Sequence, residues 1–415
     1  MSHTPKKQQS ADTQSLLAFA TIIAGTVLGL AGIDLILPSV PDFPDLFDTT
    51  TTRSQLVLAS FVAGSMIGLI SFGSLAAHFG RRRLFILSLL GYAGFSFAAA
   101  YSPTIDVLIG VRFLQGIAAS GAAVIAPGLI RHLFSPLGAV RAISAMGSIE
   151  ALVPGLAPLA GAWLHAAYGW DASFLLTSLL VGLICMIVIV RPKLLPSIGT
   201  KTNLKPGSYL SLLKNKSYLR YALGHAAVLG GLLTFVFTAP AVIIKTMDGT
   251  IDDFIIMQMV GVTFFIFFAN LSGSLVKRMG TERVIMIGTV VSAVGAFALL
   301  AYALFGSNNP GHLAYLFWIL NTGLGLRGGP GFLQALVAAH DDDDRAAALI
   351  LVAVTGLAAA STAFVAPFID FGLTALTIAT CLIILPALLL MIFIKPFEPA
   401  KVDLQDQTIT PPTGD

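Results

Sequence analysis

The chain has 415 residues, 56% of them hydrophobic and 11% charged, against roughly 25% charged in an ordinary soluble domain. That balance excludes a water-soluble enzyme of normal type, because too few charges exist to coat a core of this size and long apolar runs would have no partner but lipid. A formal net charge of +3 is too small an excess for a nucleic-acid partner. Cys185 and Cys381 both lie in apolar runs and supply neither a disulfide framework nor metal-ligand spacing, so no metal and no cofactor are expected.

Residues Met1 to Gln14 are polar, and the apolar run from Ser15 to Leu37 could pass for a secretory signal. It is too long for a signal core and ends in Asp34 and Pro38 without a small-residue cleavage pattern, so it reads as a first membrane span. Apolar stretches able to cross roughly 30 Å of hydrocarbon as helix number about twelve. They centre near Thr26, Met66, Gly94, Ala118, Pro154, Gly182, Gly230, Phe265, Ser292, Leu324, Thr355 and Ile384. Their length and continuity predict helices, not the alternating strands of a barrel. An all-α membrane protein of two six-helix bundles is therefore expected. Its divisions would be an N-terminal tail at 1–14, a first bundle at 15–190, a basic Pro-containing linker at 191–215, a second bundle at 216–395 and a C-terminal tail at 396–415.

Lys and Arg set the orientation. With both termini cytoplasmic, 20 of the 24 basic residues fall on cytoplasmic segments, leaving Arg53 and Lys245 outside and Arg112 and Arg327 within the membrane. The acidic run Asp341 to Asp344 also falls inside, and reads as a solvated loop without the spaced-ligand pattern of a calcium site.

An internal repeat supports two halves. Gly73-Ser-Leu-Ala-Ala-His-Phe-Gly80-Arg-Arg-Arg83 aligns with Gly273-Ser-Leu-Val-Lys-Arg-Met-Gly280-Thr-Glu-Arg283, five of eleven positions being identical. The glycines permit close helix approach and a tight turn, and Arg81, Arg82 and Arg83 can hold helix ends and anionic headgroups. With Arg112-Phe-Leu-Gln115-Gly116 in the fourth helix and Pro154-Gly155-Leu-Ala-Pro158-Leu-Ala-Gly161 in the fifth, this loop resembles the major facilitator superfamily, and within it the twelve-helix drug:proton antiporters. Asp34-Leu-Ile-Leu-Pro38 and Thr238-Ala-Pro240 are similar to the bicyclomycin- and chloramphenicol-resistance branch. The resemblance implies the major facilitator fold, a bacterial inner-membrane location and proton-coupled export; a monomer is expected. The family pattern usually has an acid where this chain has Ala77, and that acid would pair with the arginines to latch one state.

Several ionisable residues fall inside spans, where charge is costly and marks function or a buried partner. Asp34 is the leading candidate for proton coupling, because gain or loss of one proton there can switch conformations; the alternative is an Asp facing outer water. Arg112, at similar depth, pairs with Asp34, or else ties helix-end carbonyls and Gln115 together. Glu150 shares a helix face with Gly147, Pro154, Pro158 and Gly161, so it needs a water-filled cavity or a buried partner. Arg327, between Gly325 and Gly328-Gly329-Pro330, is a candidate substrate site, with a buried ion pair to Glu150 or Asp34 as the alternative. His225, Asn270, Gln115, Asn321 and Gln334 are weaker cavity candidates, as is an aromatic wall of Phe235, Phe237, Phe264, Phe265, Phe267 and Phe268.

No Walker motif is present, so an ion gradient or the substrate's own gradient must drive transport. No catalytic residues are expected. The partners expected are a small-molecule substrate, protons and the bilayer. The function expected is export of a small amphipathic drug-like compound by proton antiport, its alternatives being an exporter of an anionic or zwitterionic metabolite or siderophore and a non-transporting sensor or scaffold.

Overall fold

In hydrocarbon every backbone N–H and C=O must be satisfied within its own segment, and each long apolar run of this chain accordingly forms a helix. The computed structural model describes residues 6–195, 208–340 and 342–397. The first five residues, the middle of the linker with Pro196 and Pro206, Asp341, and all but the first two residues of the 396–415 tail lie outside the described residues.

The elements in chain order are α1 (Lys6–Asp34), a 3-10 turn (Leu37–Asp42), α2 (Phe43–Leu46), α3 (Thr51–Phe79), α4 (Arg81–Ala100), α5 (Ile105–Leu133), α6 (Pro136–Glu150), α7 (Val153–Tyr168) and α8 (Ala172–Val190). The short linker helix α9 (Tyr209–Lys214) precedes α10 (Lys216–Thr246), α11 (Ile251–Met279), α12 (Thr281–Phe305), α13 (Ala314–Ala338), α14 (Asp343–Val365) and α15 (Gly372–Phe393). Ten stretches are long and apolar enough to cross a membrane, one of them joining α6 to α7 and the last holding both α14 and α15. With the 25-residue α13, the described residues make twelve crossings.

Polar side chains set where helices begin. The hydroxyls of Thr50, Thr104 and Ser135 and the side-chain carbonyl of Asn215 accept from backbone N–H groups in the first turns of α3, α5, α6 and α10. Both copies of the repeat turn the chain on one glycine in a left-handed conformation: Gly80, with φ 81°, ends α3 and starts α4, and Gly280, with φ 87°, does the same between α11 and α12.

The two halves repeat one packing plan. In the first, α3 and α4 pack on α5 and α4 on α8; in the second, α11 and α12 pack on α13 and α12 on α15. Small residues let these backbones approach closely, as membrane helices require in the absence of a hydrophobic drive between them. A methyl group at Gly64 of α3 would overlap the Phe113 carbonyl of α5, and one at Gly116 of α5 would overlap the Phe61 carbonyl of α3.

Glycine placement yields a stability test. Gly64→Ala and Gly116→Ala are expected to lose most folded protein, measured as the monodisperse fraction of detergent-purified material. Gly94→Ala and Gly155→Ala, where nothing lies within 4 Å of the added methyl, should keep wild-type yield and melting temperature.

Candidate functional site

The end of the bundle that carries Arg81 is the basic end, and there the two halves grip each other. Asp343 and Asp344 occupy the first turn of α14, where the helix dipole favours anions. They are 1% and 7% exposed. Arg81, the first residue of α4, donates from Nε to both carboxylate oxygens of Asp344 at 2.9 and 2.8 Å, and from Nη2 to Asp343 at 3.2 Å. Arg131, near the end of α5, also pairs with Asp343 and donates to the carbonyl of His340 at 3.0 Å, covering an end of α13. Arg345 holds Asp342 at 3.0 Å; burial pushes the Asp342 carboxyl above its ordinary value against the opposing pull of that guanidinium. The acidic run expected as a solvated loop is thus, at 343 and 344, a buried half of an ion-pair cluster between the two bundles. Desolvation is affordable there only because each carboxylate has a guanidinium.

The three motif arginines divide their work. Arg81 crosses to the other half, Arg82 donates to the Val188 carbonyl of α8 at 3.1 Å, and Arg83 is exposed. Gly73 lies against Ala348 and the Asp344 carbonyl, and it leaves room for the Tyr209 hydroxyl of α9, which donates to the Ile70 carbonyl. Gly273, its repeat partner, lies against Arg141 of α6. Beside it Ser144 and Ser272 share a hydrogen bond of 3.0 Å, and Asn270 donates to Ser148 at 3.1 Å.

These contacts between halves extend about 20 Å from the basic end, judged by residue rise, to the level where Gly356 nears Met66 and Gly147 nears Phe265. At that level the fifth crossing breaks. Pro154 has no N–H to give the Glu150 carbonyl, so α6 stops at Glu150 and α7 starts at Val153. The single helix expected through Glu150 and Pro158 is therefore two, with separate registers. Beyond the break the packing changes: α6 touches α11 and α13 of the second half, whereas α7 packs on α1, α8 and the 3-10 turn of its own half. The fifth crossing thus leaves the opposing half where α6 ends, and Glu150 stands at that break.

Glu150 is half-buried, and the Thr26 hydroxyl of α1 lies against its carboxyl. Asp34, two turns further along α1, about 12 Å by helical rise, is also half-buried. Among the described residues neither carboxylate has a cationic partner within ion-pair distance.

The other intramembrane candidates are placed differently. Arg112 does not pair with Asp34. Fully buried, it donates from Nη1 to the Gly32 carbonyl at 3.0 Å and to Gln115 Oε1 at 2.8 Å, and from Nε to the Val57 carbonyl at 3.2 Å, with Phe61 stacked on the guanidinium at 4.2 Å. Gln115 continues to Ser96 at 2.7 Å. Arg112 is thus a tie between α1, α3 and α5. Arg327 is likewise 0% exposed. It donates to the Gly224 carbonyl of α10 at 2.6 Å and pairs with neither Glu150 nor Asp34. Asn321 donates to the Phe317 carbonyl, Phe235 stacks on Phe317, and His225 packs edge-on to Phe332; all are buried within the second half. Phe237 and Phe267 are exposed. Of the expected aromatic wall, the structure brings Phe265 to the other half. Among the motif prolines and glycines, Pro154 and Gly155 are exposed at the break, Pro158 is half-buried, and Gly161 lies against the Leu35 carbonyl at the end of α1.

Twelve helices in two like halves, joined at the basic end by buried ion pairs, are the architecture of a membrane carrier. The chain matches the family model of the Major Facilitator Superfamily over residues 17–367 and belongs to that family. It is 25% identical over 303 residues, 72% of this chain and 74% of the relative, to the bicyclomycin resistance protein homolog of Haemophilus influenzae. It is 26% identical over 276 residues, 66% of this chain and 65% of the relative, to the chloramphenicol resistance protein of Pseudomonas aeruginosa. Its fold is similar to that of the proton:xylose symporter XylE, with a TM-score of 0.66 at 17% identity over 92% of this chain and 96% of that one.

The ion pairs predict a conformational response. Removing one partner of a buried pair costs about 3–5 kcal/mol. Arg81→Gln and Asp344→Asn are each expected to open the basic end by about 100-fold or more in population, read as faster alkylation of a cysteine placed at Ala348. The charge swap Arg81→Asp with Asp344→Arg should recover part of the wild-type protection.

Proposed function

We propose that this carrier exports a neutral or cationic amphipathic compound in exchange for protons, which are taken up at Asp34 and Glu150. The carrying observation is the distribution of intramembrane charge: Arg112 and Arg327 are fully buried and donate to backbone carbonyls inside their own halves, while Asp34 and Glu150 are half-buried and have no cationic partner among the described residues. A carboxylate so placed is costly when ionised and cheap when protonated or when a cationic cargo replaces the proton. Competition of proton and cargo for one site is what antiport requires. Among the described residues no cation accompanies the two acids, Arg327 donating instead to Gly224 of α10, and this favours the drug-like reading over an anionic metabolite.

The excess of Lys and Arg at the end carrying Arg81 supports a cytoplasmic location for that end and for both termini, in the cell membrane of a bacterium, with the acids towards the outer side. In that orientation protons enter from outside past Asp34 to Glu150, the basic-end pairs break, and access passes to the cytoplasmic side for loading. The names of the relatives, which include bicyclomycin and chloramphenicol resistance, support a drug-like cargo.

Proteoliposomes carrying a pH-sensitive dye test this. Addition of tetraphenylphosphonium or chloramphenicol is expected to drive proton release with wild-type protein. Asp34→Asn and Glu150→Gln should each reduce that release at least tenfold while leaving the melting temperature within about 2 °C. Full coupling in both variants would overturn the assignment of the acids, and the absence of any flux with a folded wild type would favour a sensor or scaffold.

A further inference from the structure

The second half buries more positive charge than the carrier cycle uses. Arg220 in the first turns of α10 and Arg327 in α13 are 1% and 0% exposed, and they lie within electrostatic reach of each other. One acid serves both. Glu282, at the start of α12, pairs with Arg220 at 2.5 Å and accepts from the Tyr221 hydroxyl at 2.9 Å. Arg220 Nη2 also donates to the Met391 carbonyl at 3.0 Å, and Arg327 Nη1 donates to Gly224. Four guanidinium nitrogens are left: Nε and Nη1 of Arg220, and Nε and Nη2 of Arg327, all buried and without a hydrogen-bond partner. Guanidinium does not relieve such burial by losing its proton, so one positive charge stays uncompensated among the described residues.

The two lone nitrogens of Arg327 face the same place. A methyl built on Gly331, one turn along α13, would lie 3.6 Å from Nη2 and 3.8 Å from Nε, with no other heavy atom within 4 Å beyond Pro330, Phe332 and its own helix backbone. Gly224 and Gly288 also lack side chains against Arg327. Two N–H donors of a fixed cation are thus aimed at a stretch of α13 that carries no side chain at 331, while Glu282 is partly exposed.

We infer that this place binds one small monovalent anion of halide size, held by Nε and Nη2 of Arg327 beside Gly331 with Arg220 adding charge. One net positive charge matches a monovalent ion, and a buried site disfavours phosphate because the cost of dehydration rises steeply with charge. The anion neutralises the centre of the second half and fixes α13 against α10 and α12. The site is independent of Asp34 and Glu150.

Full-length protein in nanodiscs is melted in sodium chloride, bromide, phosphate and gluconate at equal ionic strength and pH. Chloride and bromide are expected to raise the melting temperature saturably by about 2 °C or more over gluconate, as a ligand that binds only the folded state does. Gly331→Ala, a favourable helix substitution that places a methyl where the anion sits, should fold and lose the halide increment, and Arg327→Gln should lose it too. Equal melting in halide and gluconate would overturn the site, as would a halide increment that survives in Gly331→Ala. Stabilisation by phosphate alone would overturn the monovalent assignment.

Discussion

Two carboxylates in the first turn of α14, gripped by Arg81 and Arg131 from the other half, set the state in which this molecule stands. They belong to a part of the chain 262 residues from Arg81. Burying them would be prohibitive for a lone acid, so the two halves must meet at this corner for either charge to be tolerable. Closure at the basic end then follows from electrostatics more than from shape. It also explains how the chain dispenses with an acid at Ala77: the negative partner of the motif arginine is supplied by α14 instead of by the motif itself.

The fifth crossing follows from the same packing. α6 packs on α11 and α13 of the opposing half, and the break before Pro154 is the point where the crossing leaves them for α1 and α8 of its own half. A membrane interior sorts charges by their partners: Arg112 and Arg327 donate to backbone carbonyls inside their own halves, whereas Asp34 and Glu150 have no cationic partner among the described residues.

Much of this was legible in the sequence. The twelve helices, the doubled Gly73 and Gly273 motif, its one-glycine turns and the location of Asp34 and Glu150 all followed from run length, repeat and the cost of charge in lipid. The directions of side chains were not. Helical periodicity assigns a residue to a face, but in a bundle of twelve every face has a neighbour, and nothing local says whether that neighbour is a cleft or another helix. Arg327 therefore read as a substrate site although it points into the second half, and Asn321 and Phe235 share that fate. Asp343 and Asp344 read as solvated because consecutive acids at a helix start usually are. The available signal was the unbalanced motif arginine opposite Ala77, a cation that needed an acid from elsewhere.

The pseudo-symmetry makes the remaining asymmetry informative. Two corners close the basic end, one at each copy of the repeat. At the first copy Arg81 crosses to buried carboxylates. At the second, the residue in the same place is Thr281, and the halves meet through Ser144 with Ser272 and Asn270 with Ser148. Neutral hydrogen bonds of this kind contribute about 1 kcal/mol each, several-fold less than loss of a buried ion pair costs. The two corners are thus unequal latches: the α6–α11 contact can slide or re-form at small cost, whereas the α4–α14 contact is held or broken as a unit. Parting the halves at the α4–α14 corner therefore costs a buried ion pair, whereas parting them at the α6–α11 corner costs only neutral hydrogen bonds.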